Sequence, residues 1–229
     1  MYLGFVDMNA GFLIIIAAMI LGLFARSMVT GTYRRFSQVA TGKGMTGART
    51  AREILDSYGL SNIDIQQTGG QLTDHYDPRN GILRLSSGVY HGTSIAAVGV
   101  AAHEAGHAVQ DAMGYSPFQL RQKLVPVANL GSQMLFPLII GGLFFRMAEL
   151  YYIGAALYGA ALLFQLVTLP VEFDASRRAV VYLRQSGSMS TGELGGVKKV
   201  LRAASLTYVA AALASLGQMI WLLLAGRRR

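Results

Sequence analysis

The chain has no cysteine, so neither a disulfide nor a thiolate-bound metal is open to it. Histidine is scarce, with 4 residues, and Asp plus Glu number only 12. Any metal must therefore be held by a small set of imidazoles and carboxylates. Charged residues make up 14% of the 229 residues, against roughly 25% in ordinary globular proteins, while apolar residues reach 52%. So apolar a composition excludes disorder as the main state. It points to a mainly helical, polytopic membrane protein. No internal repeat or low-complexity tract stands out.

The charge that is present is one-sided, with a net +8. It lies mostly beside apolar runs and no nucleic-acid-binding motif accompanies it. The expected partner is therefore the lipid bilayer, with no role for nucleic acid.

Four apolar runs approach or exceed the roughly 20 residues that a spanning helix needs. They cover about 10–25 (lengthened by Phe5 and Val6), 124–145, 148–169 and 206–225. No basic residue precedes the first run and no small-x-small site follows it. It therefore reads as a spanning helix rather than a cleaved signal. Arg26, Arg34, Arg35, Lys43, Arg49 and Arg52 follow it, which by the positive-inside rule puts the N-terminus outside and the next segment in the cytoplasm. The second and third runs form a hairpin, with Pro126 and Pro137 as candidate kinks and Phe144, Phe145, Tyr151 and Tyr152 at the interface. An odd feature remains. Four spans leave the C-terminus outside, where Arg227–Arg229 are disfavoured, so either the last helix lies along the interface or the rule fails there.

The apolar runs set the expected organisation. Residues 1–26 form a transmembrane helix, and 27–118 the first part of a water-exposed domain. Residues 119–170 form the hairpin, 171–204 a second part of the domain, and 205–229 a last membrane helix. Within the first part, Thr46 to Tyr58 reads as an amphipathic helix with Ala48, Ala51, Ile54 and Leu55 on one stripe and Gly59 as its stop. Ile63–Gln67 suits a short strand and Asp77–Gly81 a turn. Ile82–Ser86 alternates like an exposed strand; it either offers an edge to an extended peptide or simply covers the core. A longer helix is expected from Ser94 to Met113.

That helix carries the sharpest signal, His103-Glu104-Ala105-Gly106-His107. Residues four apart share a helix face, so both imidazoles can reach one zinc at about 2.0–2.1 Å. Glu104 lies one position round, where it can serve as general base. A catalytic zinc needs a third protein ligand. Downstream, Asp111 is two turns past His103, about 12 Å along the axis. Glu149 lies at the far end of the hairpin. Glu172 follows the third run, where a returning hairpin comes back to the level of His107, and is the best third ligand. Asp174 is the runner-up; on a helix it points away from Glu172 and suits a supporting role or a pairing with Arg177 or Arg178.

The runs Leu72-Thr73-Asp74-His75-Tyr76-Asp77-Pro78, Gly88-Val89-Tyr90 and Ala101 to Gln110, with Pro170 to Ala179, resemble the bacterial YugP-like membrane zinc peptidases over most of the chain. More distantly, the layout is similar to the HtpX and Ste24 group. The resemblance implies a small zincin-like α+β catalytic domain with a short sheet on the cytoplasmic face of about four transmembrane helices. It implies a gluzincin-like site in a bacterial inner membrane, with His103, His107 and Glu172 as zinc ligands and Glu104 as base. Ser176 departs from the distant group, which has Asp at that position. Asp174 or Asp111 is the candidate replacement for that supporting carboxylate. His75 and Tyr90 are candidate donors to a developing oxyanion.

The expected activity is thus a membrane-anchored zinc endopeptidase acting on membrane, membrane-proximal or unfolded polypeptides. A membrane-protein partner or a second copy of the chain is a further candidate partner. Two alternatives stand beside it. One is a metal-binding scaffold without turnover. The other is a site-2-type intramembrane protease, which the short apolar stretch before His103 disfavours.

Overall fold

The computed structural model describes residues 3–226. Arg227–Arg229, on which the C-terminal topology question turns, lie outside the described residues. Ten elements run in the order α1 (Leu3–Ser37), α2 (Gly47–Ser57), β1 (Asp64–Thr68), β2 (His75–Asp77), β3 (Ile82–Ser86), α3 (Ser87–Tyr90), α4 (Ile95–Ala112), α5 (Ser116–Phe144), α6 (Ala148–Gln185) and α7 (Thr191–Gly226). The protein is mainly helical. Parts of α1, α5, α6 and α7 are long and apolar enough to cross a membrane.

Contacts divide the chain into two compact units, residues 1–26, 120–169 and 206–229, and residues 27–119 and 170–205. The four long helices each contribute to both. The helices therefore overrun the apolar runs. α6 passes through Pro170 without a break and carries the polar stretch after it.

In the first unit, apolar side chains face outward. Phe136, Phe144 and Leu13 are more than 60% exposed, the surface a lipid solvent would cover. Where the helices meet, small residues admit close approach. A Cβ on Gly217 would crowd Ile14, and one on Gly142 would crowd the Tyr151 ring. Tyr151 is buried with Ala155 and Leu222.

In the second unit, α2 starts where Thr46 accepts a hydrogen bond from the Arg49 amide and ends before Gly59, whose φ is 73°. Its Ala51, Ile54 and Leu55 stripe packs into a core with Leu83 and Leu85 of β3 and Ala101, Ala105 and Val109 of α4. The sheet order is β1-β3-β2, with β1 parallel and β2 antiparallel to β3. Of the two uses weighed for Ile82–Ser86, this leaves covering the core and removes the exposed edge. The strand is central, with Leu83, Leu85 and Ser86 buried, because the apolar alternation faces the core and both edges are already paired. An incoming peptide could add only to β1 or β2. Asp74 leads into β2 and accepts from the amide and hydroxyl of Ser86; burial raises its pKa.

α4 is almost wholly buried. Ser94 caps it by accepting from the Ala97 amide. Its small residues let neighbours come close. A Cβ on Gly99 would lie 3.2 Å from Val197 of α7, and one on Gly106 would lie 3.0 Å from the Ala175 carbonyl oxygen of α6. The second contact seats α6 against the turn of α4 that lies between His103 and His107.

Candidate metal centre

Helical spacing places His103 and His107 one turn apart on α4, with ring centroids 4.7 Å apart and planes at 80°. Because Gly106 lets α6 approach, Glu172 reaches both. Its Oε2 is 3.1 Å from His103 Nε2 and 3.6 Å from His107 Nε2. One ligand atom from each of the three residues lies within 4.8 Å of the others, and all three are buried.

The outer nitrogens of both imidazoles are held. His103 Nδ1 is 3.1 Å from the Ser176 hydroxyl. His107 Nδ1 is 3.0 Å from Gln110 Oε1. Gln110 also donates from Nε2 to the Val171 carbonyl (2.8 Å) and to Asp174 Oδ2 (3.0 Å). Asp174 in turn pairs with Arg177 and Arg178. So Asp174 stands behind Gln110, and Ser176 itself touches His103. Asp111 accepts from the Tyr76 hydroxyl (3.0 Å) and from Gln119 (3.0 Å). That hydroxyl is held protonated well above the usual tyrosine range, first by burial and then by the Asp111 charge. The Phe118 ring lies between Tyr76 and His107, at centroid distances of 6.5 and 6.2 Å.

Glu104 follows His103 on α4 and is half-buried. His75 is exposed on β2, its Nδ1 2.8 Å from the Thr73 carbonyl oxygen, and is not one of the three clustered residues. Tyr90 packs against the core and meets His91 edge-on. Gln110 had no assigned role in the sequence, although a polar residue three positions after His107 on a buried helix is a readable signal.

Two imidazole nitrogens and one carboxylate, buried and converging, are a donor set suited to zinc.

The family described as "Putative neutral zinc metallopeptidase" matches residues 11–227. The chain belongs to this family. It is also 45% identical over 205 residues to "Putative membrane protease YugP" of Bacillus subtilis (strain 168), covering 90% of this chain and 91% of that protein. No solved structure matches it. With that relative and four candidate spanning helices, this family member is a membrane protein.

Proposed function

We propose that the protein is a membrane-anchored zinc endopeptidase. The convergence of His103, His107 and Glu172 beside Glu104 carries this reading. The three would hold zinc. When bound, zinc supplies Lewis-acid chemistry, polarising a carbonyl and acidifying water. Glu104 takes the proton of the attacking water and delivers it to the leaving amine nitrogen. The buried α4 fixes the spacing of the imidazoles, and Ser176 and Gln110 hold their rings in place.

The substrates we propose are membrane, membrane-proximal or unfolded polypeptides. The proposed location is a bacterial inner membrane, crossed several times, with the site on the cytoplasmic side. Arg34, Arg35, Lys198, Lys199 and Arg202 all fall in the same unit as the site, which favours that side.

The test pairs metal content with hydrolysis of an unfolded model protein, for wild type and Glu104→Gln in detergent. We expect zinc in both and cleavage only by the wild type, the variant losing at least about 10²-fold. Full activity in the variant would sink the mechanism. Zinc in both with cleavage by neither would favour the non-catalytic scaffold.

A further inference from the structure

Gln110 is fully buried, and its neighbours leave one way to orient its amide. The Val171 carbonyl and the Asp174 carboxylate are both acceptors, at 2.8 and 3.0 Å. The NH₂ end must face them, because the flipped amide would set its oxygen against two other oxygens. The carbonyl end then faces His107 Nδ1 at 3.0 Å, and that nitrogen must carry its proton. A neutral imidazole protonated at Nδ1 has its lone pair on Nε2. This is the nitrogen 3.6 Å from Glu172 Oε2. A lone pair set against a carboxylate invites a cation between them.

We propose that Gln110 is a positioning residue for the metal. It fixes the tautomer and ring orientation of His107, with Asp174 as its anchor. Arg177 and Arg178 offset the Asp174 charge, so the amide is gripped without adding net negative charge beside the site. His103 differs. The Ser176 hydroxyl at 3.1 Å can donate or accept, so it leaves that tautomer open. His107 is therefore the ligand whose proton placement is set in advance. The inference rests on reading the three residues as a zinc site.

The test uses the full chain in detergent, Zn²⁺ competed against a chromophoric chelator, and the visible absorption of the Co²⁺ form. Gln110→Met keeps the length of the side chain and removes the acceptor. Gln110→Glu keeps an acceptor oxygen for Nδ1, and it is made together with Asp174→Asn, so that its second oxygen meets an amide donor in place of a carboxylate and the net charge is unchanged. We expect Gln110→Met to weaken Zn²⁺ binding about 10–100-fold, and Gln110→Glu to recover most of that loss. The Co²⁺ bands of Gln110→Glu should shift, because a carboxylate acceptor makes His107 a stronger donor. A packing role alone would not move them.

Equal losses in both variants, or wild-type affinity in Gln110→Met, would overturn the inference. If Gln110→Met does not fold, the Gln110→Glu bands decide: a shift supports the role and unchanged bands overturn it. A wild type that binds neither metal overturns the site reading along with this inference. Zinc binding indifferent to both substitutions overturns this inference alone.

Discussion

The Ser176 hydroxyl reaches His103 Nδ1 at 3.1 Å, where a carboxylate would be the stronger partner. A hydroxyl holds the ring with a weaker, uncharged hydrogen bond. Ser176→Ala should therefore lower zinc affinity by about tenfold, and Ser176→Asp should raise it above wild type, both read by chelator competition. Affinity unchanged in both would mean that His103 is oriented by packing alone. The three clustered residues were legible in the sequence as candidate ligands. His103 and His107 announce themselves by spacing, and Glu172 by its place after the returning hairpin. Of the groups behind them, Asp174 and Ser176 were candidates from the sequence, whereas Gln110 was not, because a carboxylate is the partner expected behind a metal-bound imidazole. The groups that touch these imidazoles are an amide and a hydroxyl, and Asp174 acts one residue removed.

At the level of the elements, the meeting of α4 and α6 depends on Gly106. Its missing Cβ leaves room for the Ala175 carbonyl oxygen. Gly106→Ala should push the two helices apart by a few tenths of an ångström. We expect a loss of about 1–3 kcal/mol in stability, and weaker zinc binding as Glu172 retreats, measured by thermal unfolding and metal titration. The β2–β3 turn makes a separate prediction. Hydrogen bonds from Asn80 and Arg84 push the Asp77 pKa down to about 2. A carboxylate depressed in the folded state stabilises above its unfolded pKa, near 4, and loses that contribution as pH falls toward 2. The stability difference between wild type and Asp77→Asn should thus be full above about pH 4 and vanish near pH 2. A difference that stays flat through that window would refute the assignment. The sequence pattern exposed α2, β1 and α4 to within a few residues, since caps and apolar stripes are local. It missed β2, only three residues long and without an apolar period, and it could not show that β3 is central. Strand order depends on partners distant in sequence.

For the molecule as a whole, composition announced a helical membrane protein before any motif was considered. It did not reveal that the long helices continue past their apolar runs into the second unit, because a helix needs no change of backbone to pass from an apolar to a polar segment. The absence of cysteine makes the proposed orientation directly testable. Single replacements Lys43→Cys and Lys199→Cys should resist a membrane-impermeant maleimide in intact cells and react once the cells are broken. Labelling of either in intact cells would place the site-bearing unit outside.

His103 and Glu172 are 69 residues apart in the chain. An ion shared between them would be a crosslink closing a long loop, and such a closure restricts the unfolded chain far more than the folded one. Zinc at a hundred times its dissociation constant would add about 2.7 kcal/mol to the folded state. The melting temperature should then climb with free zinc, and a chelator should loosen the protein as well as silence it. Starvation for zinc would in this way also mark the protein for removal, since the molecules that cannot act are those most readily unfolded.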